Sequence, residues 1–205
     1  MHVEILVEEL SAEAALRGLL PRMLGDASWE VRTFSGKPAL LKELPTRLRA
    51  YPKWLPHVHG EAWCVVVLVD RDEEDCLDLK ERLERIAAEA GLVSRSVDAE
   101  QFNVVSRIAI EELEAWFFGD VPALRAAYPR VSATLAGKAK FRDPDAIRGG
   151  TWEQLEKVLE RYYPTGMPKV EVARAIASHM DPDTNRSTSF QAFRDALYSL
   201  QDRPA

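Results

Sequence analysis

Cysteine is almost missing from this chain: Cys64 and Cys76 are the only two among 205 residues. Two thiols supply no disulfide framework, and both read as buried or merely tolerated. Long hydrophobic runs are missing as well. No stretch reaches the roughly 20 apolar residues of a membrane span, and Glu4, Glu8 and Glu9 break the apolar character of an N-terminus that has no basic start or small-residue cleavage site. The expectation is a soluble, cytoplasmic protein with no membrane partner. The absence of a glycine-rich phosphate loop means that ATP hydrolysis has to come from another protein. His57 and His59 have no Cys or carboxylate at zinc-ligand spacing, which excludes the familiar zinc sites. The net charge of -6 argues against indiscriminate attraction to nucleic acid, though a local basic surface remains compatible with it.

With 46% hydrophobic and 29% charged residues, the chain is long enough for an α/β core plus helical material. Residues 63–69 form a β-branched run that reads as a buried strand, and residues 2–7 read as another. Ser11 looks like an N-cap for a helix with apolar positions Ala12, Ala15, Leu16, Leu19, Leu20 and Met23, with Pro21 awkward inside it. Residues 29–34 alternate with strand period, 39–51 read as helix, and 52–61, with two prolines, two histidines and a glycine, as loop. A helix over 73–91 closes on Gly91, and 93–97 and 102–110 supply one or two further strands. From Glu111 the pattern changes to short helices, including 152–163, 169–179 and 187–201. Strands alternating with helices predict a mostly parallel sheet flanked by helices over residues 1–120, with a helical portion, 121–205, packed on it.

The chemistry gathers where strands end. Asp70 and Asp72 follow the best strand, and Glu8 and Glu9 follow the first. Carboxylates crowded at buried strand ends raise one another's pKa unless a cation neutralises them. In extended backbone Asp70 and Asp72 point to the same side, a spacing suited to a shared Mg²⁺ shell completed by phosphate oxygens. Read by helical phase, the cluster 111–117 puts Glu114 beside the stripe of Ile110, Leu113 and Phe117, while Glu112 points nearly opposite. The plainer alternative is that Asp70, Asp72 and Asp75 cap and polarise the following helix. Lys169 begins a helix, where a cation opposes the dipole, and is therefore a candidate phosphate contact. Arg125, Arg130, Lys138, Lys140, Arg142 and Arg148 form a basic stretch able to meet a nucleic-acid backbone, or simply a solvated surface.

The segments Ile5-Leu6-Val7-Glu8-Glu9-Leu10-Ser11-Ala12-Glu13, Val67-Leu68-Val69-Asp70-Arg71-Asp72 and Ile110-Glu111-Glu112-Leu113-Glu114-Ala115-Trp116 together resemble the Toprim-like proteins of the DUF4276 family. The similarity extends to Phe34-Ser35-Gly36-Lys37 and Ser189-Phe190-Gln191-Ala192-Phe193. The resemblance implies a Toprim-like fold related to the overcoming-lysogenization-defect nucleases. It further implies Mg²⁺ or Mn²⁺ held by Glu8, Asp70 and Asp72 with Glu114 as an additional acid, phosphodiester chemistry on nucleic acid, a partner ATPase and a role in defence against foreign DNA. This chain departs from the Toprim pattern at Glu9, where a glycine commonly follows the first acid. A non-catalytic binding or regulatory subunit is the alternative that this departure raises.

Overall fold

The computed structural model describes residues 1–60 and 62–201. β1 (His2–Val7) leads through α1 (Leu10–Leu24) to β2 (Ser28–Thr33), α2 (Lys37–His59), β3 (Trp63–Asp70), α3 (Cys76–Glu89) and β4 (Val104–Ala109). Helices α4 (Ala115–Gly119), α5 (Val121–Ala127), α6 (Thr151–Leu159), α7 (Lys169–Ala177) and α8 (Thr188–Gln201) follow, with three short 3-10 turns between α5 and α6. The strands pair in parallel in the order β2-β1-β3-β4. The fold is α/β, a four-stranded parallel sheet flanked by helices, with helices at the C-terminal end.

Period-2 alternation divides the central strands between two apolar layers. Val3, Ile5, Val7, Cys64, Val66 and Leu68 pack toward α1, α7 and α8, whereas Leu6, Val65, Val67 and Val69 face the leucines of α2 and α3. Both faces are covered, as a parallel sheet requires. Glu4 interrupts the alternation, fully buried, and its carboxylate is satisfied by Arg32 Nε at 2.9 Å and the Tyr51 hydroxyl at 3.2 Å. Helix α1 lies close on α7 at Gly18, where a Cβ would stand 3.3 Å from the Ala177 main chain.

Two sequence expectations are corrected, and of the one or two further strands expected one forms, β4. The segment expected as a loop from residue 52 continues α2 to His59, through Pro45, Pro52 and Pro56; Glu61, the end of that expected loop, lies outside the described residues. Leu40, Leu44, Leu48, Tyr51 and Leu55 form one buried stripe at helical spacing, and its packing outweighs the hydrogen bonds that the prolines remove. Ser11 is a buried residue inside α1, and Glu9 is the N-cap, with no side-chain cap bond. The stretch 93–97 contributes only an isolated bridge from Ser94 to Val104.

Candidate functional site

Strand order places the first two acids together. β1 returns through α1 to β2 on one side, while β3 lies on the other, so the gap between β1 and β3 is the topological switch point where ligands collect beyond strand C-termini. Leu6 pairs with Val67, and both strands end toward this gap. The Asp70 N–H donates to Glu8 Oε1 at 2.8 Å. Glu114, buried at 2% exposure at the start of α4, faces the same pair: after burial, its charge does most to raise the Asp70 pKa.

Three carboxyls here are weak acids. Burial chiefly, aided by Asp72 and Glu9, raises Glu8 to about 7, against the pull of the Asp70 N–H and Lys37. Burial chiefly, aided by Glu112 and Glu9, raises Glu114 to about 7 against Lys169. Asp70 is pushed well above the usual carboxylate range by burial, then by Glu114, Glu8 and Asp72. One oxygen of Glu114, Oε2, is buried without a hydrogen-bond partner among the described residues.

Two lysines brace this cluster from opposite helix layers. Lys169, the first residue of α7, lies 2.7 Å from Glu9 Oε1 and 3.8 Å from Glu114 Oε1, with its ammonium 5.1 Å over the Trp152 ring. Lys37, the first residue of α2, lies 2.7 Å from Asp72 Oδ2 and 3.0 Å from Glu74 Oε1 and donates to the Arg71 carbonyl at 3.1 Å. Burial would lower both lysines, but the surrounding carboxylates outweigh it and raise them.

The expected common side of Asp70 and Asp72 is corrected by the backbone. β3 ends at Asp70, and Asp72 has φ 51°, so the extended alternation stops before it. The Asp72 N–H donates to the Glu111 carbonyl at 2.8 Å, and Glu111 itself has φ 60°. Two non-glycine residues in the left-handed region, bonded to each other beside a cluster of acids, are strain of the kind found at functional sites. The cluster 111–117 is likewise not helical from its start, since α4 begins at Ala115. Glu112 accepts from the Thr151 hydroxyl and the Trp152 N–H, both at 2.8 Å, capping α6 from outside it. Among Asp70, Asp72 and Asp75, only Asp75 caps α3, accepting from the Leu77 and Asp78 N–H groups.

Among the described residues, no three His, Cys, Asp or Glu side chains form a group able to hold a metal ion. Asp72 is drawn to Lys37 and Glu8 to the Asp70 N–H, away from a common centre. In kind, the donors still fit a hard cation. They are carboxylate oxygens, one of them an orphan, whose mutual repulsion and burial a divalent charge would relieve. Sequence reasoning gave Lys37 no role, because it began the helix at residue 39; with α2 starting at Lys37, it carries the signal that singled out Lys169, a cation at the first position of a helix.

A family model described as "Domain of unknown function (DUF4276)" matches residues 7–198. No curated protein and no solved structure matches the chain.

Proposed function

The chain belongs to the DUF4276 family, and we propose that it is a metal-dependent phosphodiesterase of Toprim-like type acting on nucleic acid. One observation carries this reading. Glu8, Asp70 and Glu114 crowd the switch point of a parallel sheet with raised pKa values and an unpartnered oxygen, an arrangement that a cation stabilises. Glu8, Asp70 and Glu114 would hold Mg²⁺ or Mn²⁺, joined by Asp72 once it leaves Lys37. When bound, the cation supplies charge neutralisation at a phosphoryl oxygen and makes water a nucleophile near neutral pH.

The chain's own residues supply the rest. Glu114, near half-ionised at neutral pH, is suited to hold or accept a proton. Lys169, steadied over Trp152, is placed to donate to a phosphate oxygen in exchange for Glu9. The exposed cations Lys138, Arg142 and Arg148 lie on the segment that leads into Trp152, a course suited to a nucleic-acid backbone approaching the acids. A partner ATPase, a cytoplasmic location and a role in defence against foreign DNA belong to the same reading. Among the described residues no helix is long and apolar enough to cross a membrane.

A second reading, a non-catalytic binding or regulatory subunit, draws on the two lysines, which already neutralise Glu9, Glu114 and Asp72 without a metal. The test is calorimetric titration of Mn²⁺ and Mg²⁺ into wild type and an Asp70→Asn, Asp72→Asn double variant, alongside gel assays on single- and double-stranded DNA. The enzyme reading expects binding and metal-dependent cleavage, both lost in the variant. Wild type that binds neither ion supports the regulatory subunit.

A further inference from the structure

β4 ends the sheet, and its main chain is only half used. In a parallel pair alternate residues face the neighbour. The Val65 N–H donates to the Asn103 carbonyl and the Arg71 N–H to the Ala109 carbonyl, so the odd-numbered residues face β3. The even-numbered ones face outward. At Val104 the chain covers its own edge: Ser94 bridges Val104 in parallel, the Arg95 N–H donating to the Val104 carbonyl at 2.9 Å and the Val104 N–H to the Val93 carbonyl at 3.1 Å. This segment then turns away, the Val97 and Asp98 N–H groups both bonding the Ser94 carbonyl. Beyond it, Ser106 and Ile108 turn their main chain away from β3, that of Ser106 buried beneath neighbouring side chains.

A groove of ≈ 290 Å³ runs along that stretch, between Leu77 and Lys80 of α3 on one side and Ala192 of α8 on the other, with Ile108 and Ile110 between them. The helix layers thus flank an edge with no strand on it. Leu77 is 79% exposed there, and Ser106 Oγ is buried with no partner among the described residues. The outward Ser106 carbonyl is occupied by two cations, Lys80 Nζ at 2.8 Å and Arg107 Nη1 at 3.0 Å. Among the described residues Arg107 hydrogen-bonds only to main-chain carbonyls, those of Ser106 and Ala192.

We propose that this edge takes up an extended acidic segment of a partner protein as a fifth strand of the sheet. Its main chain pairs with Ser106 and Ile108, as that of Val93 and Arg95 already does with Val104. The charge of the partner follows from what pairing displaces. An incoming N–H takes the Ser106 carbonyl from Lys80 and Arg107; Lys80 keeps its ion pair with Glu84, whereas Arg107, which hydrogen-bonds to no carboxylate among the described residues, requires one from the segment in exchange. Alternate apolar side chains of the segment cover Leu77 and Ile108, the usual division of labour in strand addition. Uncovered, the edge is guarded by the same two cations, as natural edge strands are.

The probe is the fluorescein-labelled peptide Val-Glu-Val-Glu-Val-Glu-Val, capped at both ends, followed by anisotropy at fixed ionic strength. Expected is saturable binding to the wild-type chain that weakens at least tenfold in each of three cases: Lys replacing every Glu, N-methylation of alternate peptide nitrogens, and a Lys80→Glu, Arg107→Glu double variant. The N-methylated probe leaves the protein untouched, so it decides the question even if the double variant fails to fold. No saturable binding, equal binding of the lysine peptide, or indifference to N-methylation overturns the proposal. A dimer in sedimentation that Leu77→Asp dissolves would assign the edge to a second copy and overturn it equally.

Discussion

Lys37 and Lys169 each occupy the first position of a helix, where a cation costs about 0.3–1 kcal/mol against the dipole. Both are offset by carboxylates brought from elsewhere in the chain, Asp72 and Glu74 for one and Glu9 and Glu114 for the other. Glu9 is the acid that holds Lys169. Charge at this site gives a pH dependence whose sign is fixed by the raised carboxyls. Glu8 and Glu114 keep protons in the folded chain up to about 7, whereas in the unfolded chain they lose them near 4.5. Their contribution to stability is complete below pH 4.5, fades as pH rises to about 7 and is absent above it. A Glu8→Gln, Glu114→Gln double variant should thus match wild type near pH 4.5 and exceed it at pH 8 by about 1–2 kcal/mol, measured by urea denaturation without metal. In the metal-binding reading, Mn²⁺ affinity rises with pH through about 7 as those protons leave, which calorimetry at pH 6 and pH 8 checks. A variant less stable than wild type at pH 8 would contradict the cost assigned to these buried charges.

At the scale of elements, the strands β1 and β3 were legible because their apolar runs are local, that of β3 unbroken and that of β1 interrupted only by Glu4, after Val3. Helix α2 was half legible: its buried stripe reaches Leu55, but Pro52 and Pro56 read as breakers. Burial won because each leucine in that stripe gains more from leaving water than one missing main-chain bond costs. The segment around Glu111 was misread for another reason. Its spacing is helical, yet the Asp72 N–H and the Glu111 carbonyl bind each other across the sheet end, which no local pattern announces. Helix α6 depends on a similar long-range contact, since its start has no side-chain cap of its own and Glu112 supplies one. Glu112→Ala should destabilise the chain by about 1–2 kcal/mol. Hydrogen exchange should accelerate first at the N-terminal amides of α6, and unchanged protection there would exclude the capping role.

For the molecule as a whole, one apolar cluster joins Val3, Ile5 and Leu16 near the N-terminus to Trp116, Phe190 and Phe193 far along the chain. Trp116 meets Phe190 edge-on and Phe193 at a tilt, each at 5.1 Å between ring centres, and its indole N–H donates to Ser189 Oγ at 3.0 Å. Helix α1 covers only part of that sheet face and α7 and α8 complete the layer, so a fragment of residues 1–120 should not fold alone. Phe193→Ala should lower stability by about 3–5 kcal/mol in one cooperative urea transition that fluorescence and circular dichroism report together; two separated transitions would mean that the halves fold independently. The sequence by itself determined that strands alternate with helices, that acids stand at strand ends and that the last third is helical, because periodicity and capping act over a few neighbouring residues. Only the tertiary structure decided that β3 lies beside β1, which sets Asp70 against Glu8 across 62 positions, and that Lys37 draws Asp72 outward while Lys169 closes on Glu9 and Glu114. Those choices come from covering both faces of the sheet at once, a condition that belongs to the whole chain and to no segment of it.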